Sequence, residues 1–231
     1  MNPEACVVAV AGAAGSARTT AAVNLAVALA VSGLDVRLCD LDPAGAARRA
    51  LGGVVADHSG STPREVRLSR RLRGRVTVAG GSDGAGGRTS TAGVPADRPP
   101  DVVVVHCPPE LDEVALTALR GARVVLVPID ASPGALAAVE SVAFAVGAVR
   151  ASGGVGPRIR IAMVRVLPRA IDRWAVVDRL TESYPEGLYA TTVPMGRRAG
   201  GGGAPTLYAP TTRAAAAYAA LAAEVRADLA L

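Results

Sequence analysis

Residues Val7 to Thr20 read Val-Val-Ala-Val-Ala-Gly-Ala-Ala-Gly-Ser-Ala-Arg-Thr-Thr, a buried-strand pattern that runs into a small-residue turn and a helix start. A turn of this kind between strand and helix aims backbone N–H groups and the positive helix end at phosphate. Gly12, Ala13, Ala14, Gly15, Ser16, Ala17, Arg18, Thr19 and Thr20 are therefore the candidate phosphate-binding residues. Such loops end Gly-Lys-Thr, with the lysine reaching the terminal phosphates and the hydroxyl on Mg²⁺. Here Ala17 and Arg18 stand in the glycine and lysine places, and Thr19 keeps the hydroxyl. A planar guanidinium is larger than an ammonium and cannot fill the same cradle unaltered. If position 17 requires a positive φ, alanine costs roughly 1–2 kcal/mol there.

Two carboxylates follow in Cys39-Asp40-Leu41-Asp42-Pro43, and a valine run ends in His106-Cys107-Pro108-Pro109. Asp42-Pro43 has a plainer reading as a capping turn after a strand. Other catalytic chemistry has little support, since the histidines are His58, in a polar loop, and His106, on a strand. His106 adjoins Cys107, but no second His/Cys pair lies near it to complete a zinc site. Cys6, Cys39 and Cys107 sit in or beside apolar runs and read as buried reduced thiols.

Positioning these residues falls to short, valine-rich, non-alternating runs at Cys6 to Ala11, Val36 to Cys39, Val76 to Ala79, Val102 to His106, Val124 to Ile129 and Ile159 to Val164. Strands buried on both faces look like this. Helical patterns lie between them: Thr19 to Ser32 before Gly33, Glu110 to Arg120 before Gly121, and one opened by Ser132-Pro133-Gly134, with the serine as cap. Thr211 to Leu231 is a packing helix, with Tyr218, Leu221, Val225 and Leu229 at helical spacing. The alternation implies one α/β domain over 1–231 with a mostly parallel, twisted sheet flanked by helices. Gly80 to Pro100, Ala151 to Pro157 and Gly196 to Pro205 break the pattern; flexible surface loops are expected there, above all at 80–100 and 196–205.

All 25 basic residues are arginine, as in a GC-rich coding sequence, and the net charge is +5. Basicity concentrates in Arg64, Arg67, Arg70, Arg71, Arg73 and Arg75. That stretch reads either as a nucleic-acid surface or as a solvated helix turning Leu68 and Leu72 to the core. No apolar run reaches the length of a membrane span, and no signal peptide is evident, so a cytoplasmic protein is expected.

Arg18-Thr19-Thr20-Ala21-Ala22-Val23-Asn24-Leu25-Ala26, the Asp-Leu-Asp-Pro and His-Cys-Pro-Pro segments, and Thr206-Leu207-Tyr208-Ala209-Pro210, in this order, resemble the ParA/MinD family of deviant P-loop ATPases, in its short single-domain branch. The resemblance implies a P-loop NTPase fold and an ATP-dependent dimer that positions DNA, protein complexes or organelles. It implies Thr19 and Asp40 at Mg²⁺, Asp42 orienting the attacking water and Arg18 on the terminal phosphate as the catalytic pair, with ATP and Mg²⁺ as cofactors where the site is competent and none where it is not. Ala13 stands where the family carries a lysine that crosses the dimer interface. His106 stands where it carries an aspartate serving the magnesium water shell, and an imidazole is no anionic acceptor. The asparagine used near the base is not found around Val164-Arg165.

Coordinated change at Ala13, Ala17, Arg18 and His106 points to a degenerate site with weak or absent hydrolysis. The implied partners are a second copy or an intact relative, a ParB-like or other adaptor, and nonspecific DNA held by Arg64, Arg67, Arg70 and Arg71 on a nucleoid. The alternative is a competent partition ATPase using Arg18 and Asp42. A metabolic synthetase of the same fold is disfavoured, because no carboxylate or amide pocket can be identified.

Overall fold

The computed structural model describes residues 5–51, 64–66, 74–80, 99–167, 173–196 and 210–231. Valine runs that present apolar side chains on both faces need helices above and below them, and the sheet obtains both. Its strands are β1 (Cys6–Val10), β2 (Asp35–Asp40), β3 (Arg64–Val66), β4 (Arg75–Gly80), β5 (Val102–His106), β6 (Val124–Ile129), β7 (Arg158–Val166) and β8 (Leu188–Pro194). They lie in the order β3-β4-β2-β5-β1-β6-β7-β8. Seven are parallel, and β3 pairs antiparallel with β4 at one edge.

The helices are α1 (Arg18–Val31), α2 (Ala46–Ala50), α3 (Glu113–Gly121), α4 (Ala135–Ala151), α5 (Arg173–Ser183) and α6 (Arg213–Leu229). Successive strand residues divide between two cores, as a period of two requires. Val8, Val10, Leu38, Val104 and Leu126 pack with Leu25 and Leu29 of α1 and Tyr218, Leu221 and Val225 of α6. Ala9, Val105 and Val127 pack on the other face with Leu119 of α3, Val139, Val142 and Val146 of α4, and Leu180 of α5. Leu25 and Leu29 are wholly buried, and each contributes about 2–3 kcal/mol by leaving water. The result is an α/β P-loop fold in three layers, with its loop tied to the central strand.

Several expectations are corrected in detail. The arginine stretch does not begin as a helix: Arg64–Val66 forms β3, whose backbone pairs with the otherwise open edge of β4. Arg67, Arg70, Arg71, Leu68 and Leu72 lie outside the described residues, as do the side chain of Arg64, nearly all of 80–100, and 197–205. Ser132 does not cap α4; its carbonyl accepts from Ala135 N–H in a turn, and Gly134 holds the cap position without a side-chain bond. In α3 the cap is Asp112, which accepts from Ala115 N–H at 3.0 Å, so the helix starts later than the apolar pattern suggests. The turn after α4 is exposed and uses Gly153 (φ 88°) and Gly156 (φ 67°). Strand β8 and helices α2 and α5 have no counterpart among the apolar runs.

Candidate functional site

Strand β1 lies between β5 and β6, so the connection leaving it through α1 and the one joining β5 to β6 diverge from it. Such a switch point opens a crevice at the carboxyl ends of the strands, where ligands of open α/β sheets bind. Residues 11–17 fill that place. Ala11 N–H donates to Leu126 O at 3.1 Å and Cys107 N–H to Val10 O at 3.1 Å, anchoring the loop to both flanking strands.

The sequence-predicted loop residues gather here. Gly12 (φ 152°) and Gly15 (φ 80°) take conformations that disfavour side chains, and Ser16 N–H closes a turn on Ala13 O at 3.2 Å. Ala17 at φ 63° and ψ 24° is left-handed and holds the N-cap of α1 without a side-chain bond. Position 17 therefore does require a positive φ, and alanine bears the strain. Ala13, Ala14 and Gly15 are exposed at the loop's tip.

Arg18 is buried to 8% exposure and turns inward rather than along the crevice: Nη1 donates to the Cys107 carbonyl at 2.7 Å. Its stem runs under Gly12, where an added Cβ would lie 3.7 Å from Arg18 Cγ and Cδ and 3.1 Å from Ser16 Oγ. The interior of the loop thus holds the chain's own side chains, and Ser16 Oγ is buried there with no hydrogen-bond partner. Burial pulls the guanidinium pKa down, opposed by Asp42, Cys107 and Glu110. Arginine remains a cation regardless. The Cys107 thiol is pushed up to about 12 by burial, chiefly, and is inert as a nucleophile.

Asp40 and His106 face each other because β2 and β5 are neighbours with those two residues in register. His106 is fully buried; Nδ1 lies 2.8 Å from Asp40 Oδ1 and Nε2 lies 3.2 Å from Thr19 Oγ1. Asp40 also accepts Asp42 N–H at 3.2 Å on Oδ1 and Arg48 N–H at 3.0 Å on Oδ2. Burial alone would raise its pKa, but the His106 bond, the two backbone N–H groups and the imidazole charge together hold it below the usual carboxylate value. Asp40 is therefore ionised, and since a carboxylate only accepts, Nδ1 carries the shared proton. Three hydrogen bonds leave the carboxylate about one open acceptor site, and the Arg48 guanidinium lies 3.9 Å from Oδ2. This donor set does not fit Mg²⁺, which takes oxygen ligands in near-octahedral geometry. Asp42 is more open; its Oδ1 accepts Ala44 N–H at 2.8 Å and its carbonyl accepts Gly45 N–H at 2.7 Å, a turn after β2 in which Gly45, not Asp42, holds the N-cap of α2.

Arg165 escapes sequence reasoning. It sits near the end of β7 at φ 57°, beside a register shift between Met163 and Val166, and its side chain spans to the loop. Nη1 donates to Gly15 O at 2.9 Å and Nη2 to Asp130 Oδ2 at 3.2 Å. A left-handed arginine in a bulge has no local sequence signal, and β7 also carries Arg158 and Arg160, so Arg165 does not stand out by type. Its 45% exposed side chain puts a second cation at the crevice.

Residues 7–186 match the family model of the CobQ/CobB/MinD/ParA nucleotide binding domain. The chain is 33% identical over 234 residues to the chromosome-partitioning ATPase Soj of Thermus thermophilus, spanning 92% of this chain and 92% of Soj. Among solved structures, the ATP complex of an aspartate-to-alanine variant of McdA from Cyanothece superposes with a TM-score of 0.74 at 15% identity, over 99% of this chain and 97% of McdA. Cobyrinic acid a,c-diamide synthase of Mycobacterium smegmatis, with ADP and magnesium bound, gives 0.72 at 22% identity, over 96% of this chain and 94% of the synthase. These two likenesses show the fold, and no helix among the described residues is long and apolar enough to cross a membrane.

Proposed function

Because the chain belongs to the CobQ/CobB/MinD/ParA nucleotide-binding family, we propose that it is a positioning or partitioning protein of the ParA/MinD type whose site binds nucleotide weakly and turns it over slowly or not at all. It acts through protein partners. The observation that carries this reading is Arg18, folded beneath the loop on to the Cys107 carbonyl at 2.7 Å where the family lysine would reach phosphate. Ala13 supplies no charge to a neighbouring subunit, and cations acting across an interface are worth about 10³–10⁵ in rate. Pairing with an intact relative would restore that charge; pairing with itself would not.

The test is steady-state phosphate release from ATP, alone and with the Asp42→Ala variant. Both are expected to give the same background rate. Robust turnover that disappears on Asp42→Ala would rule out the degenerate reading. A competent partition ATPase is the second reading, favoured by the extent of the Soj likeness and by the presence of Thr19 and Asp42 at the loop. It requires Arg18 or Arg165 to swing on to phosphate, and it predicts that ATP increases DNA retention at low salt.

A further inference from the structure

A phosphate loop takes magnesium through a hydroxyl and a carboxylate that face the same cation or its water shell. In this chain both groups face one imidazole instead. His106 joins them as Thr19 Oγ1, Nε2, Nδ1 and Asp40 Oδ1, with separations of 3.2 Å and 2.8 Å at the two ends. The ring has little freedom. Its backbone is fixed by the pairing of β5 with β2, Leu41 N–H donates to its carbonyl at 3.0 Å, and its side chain is 0% exposed. Swinging it aside would leave the Asp40 carboxylate, itself 0% exposed, without its closest donor and bury an unpaired imidazole. Stranding groups of that kind is costly. A magnesium ion that must also shed tightly held water gains too few free oxygen lone pairs here to offset it.

We propose that His106 takes the place of the divalent cation, so that a nucleoside polyphosphate entering this loop does so as a metal-free anion. Its charge is met by the exposed Arg165 and by the N–H groups of the loop, above the buried cation of Arg18. This rests on reading residues 12–20 as a nucleotide site, and it adds the ionic form of the ligand. The exchange of one residue then sets metal use. In His106→Asp, two carboxylates face each other across β2 and β5, a pair that repels unless a cation lies between them.

Calorimetric titration with ADP, in Mg²⁺ and in EDTA, reads this directly. The wild type is expected to bind more weakly in excess Mg²⁺ than in EDTA, because the cation withdraws free ADP into its complex, whereas His106→Asp should bind at least about tenfold more tightly in Mg²⁺. Wild-type binding as tight or tighter in Mg²⁺ overturns the proposal, as does a folded variant that gains no magnesium dependence. The nucleotide reading fails separately, by absence of ADP binding in every condition. For that case, and for a variant that does not fold, the ¹⁵N signals of the wild-type His106 ring need no nucleotide. They are expected to be unmoved by millimolar Mg²⁺, and a saturable shift would show the cation entering and the proposal failing.

Discussion

At φ 63° Ala17 presses its Cβ toward the following carbonyl, a strain of about 1–2 kcal/mol that glycine would not feel. Glycine loses about 0.5–1 kcal/mol more backbone entropy on folding, so Ala17→Gly should stabilise the protein by roughly 0.5–1 kcal/mol. Urea denaturation checks this, and an unchanged or lower midpoint would contradict it. Ala230, at φ 60° beyond the last helix, is the control. Ala230→Gly should stabilise comparably while leaving ADP affinity alone, whereas Ala17→Gly should change both. The turn at 12–17 is legible in the sequence, because small residues after a buried strand are a local signal. The sequence could not place Arg18 on the Cys107 carbonyl, which lies 89 residues away, nor close the contact between Asp40 and His106 across 66. Those contacts depend on which strands become neighbours, and strand order is not a local property.

Helix α6 is held to the sheet by more than apolar packing. Arg160 on β7 donates from Nε and Nη2 to Asp228 at 2.6 and 2.8 Å, and the Tyr189 hydroxyl of β8 donates to the same carboxylate at 2.7 Å. Burial would raise the Asp228 pKa, but these bonds and the Arg160 and Arg158 charges hold it below the usual value. Its contribution is therefore full above about pH 4, the unfolded value, and fades as pH falls through the lower folded value. Asp228→Asn should cost about 2 kcal/mol at neutral pH. The difference from wild type should shrink in acid, because the wild-type carboxyl is then neutral too; denaturation midpoints at neutral and acid pH measure it. Elements of this edge were unevenly legible. Helix α6 announced itself through Tyr218, Leu221, Val225 and Leu229, all buried as expected. Strand β8 did not, since only Tyr189 and Val193 of its seven residues are buried, and Thr191 and Thr192 give it no apolar run.

For the whole molecule, the parallel sheet was legible because six of its strands are short apolar runs, with β5 and β6 buried on both faces throughout, and such runs leave few alternatives to a three-layer α/β fold. Charge was less informative: a net +5 is compatible with an anionic partner and does not say where it would lie. The arginine stretch 64–71 begins in sequence at β3, which lies at the edge of the sheet opposite β8. If Arg64, Arg67, Arg70 and Arg71 hold DNA phosphates, each releases about 0.9 of a counterion, so log affinity should fall with log salt at a slope of about −3.6. Each Arg→Ala change should lower the slope by about 0.9, uniformly across DNA sequences, since phosphate contacts carry no base readout. This edge is built from β3 and β4, whereas Arg18, Thr19 and His106 lie at the carboxyl end of the central strands. A degenerate nucleotide site therefore need not silence it, and filter retention of DNA should have the same slope with and without ATP. A flat salt dependence would remove DNA from the partners, while retention that rises with ATP would show that the loop still governs the molecule and that Arg18 leaves the Cys107 carbonyl when phosphate arrives.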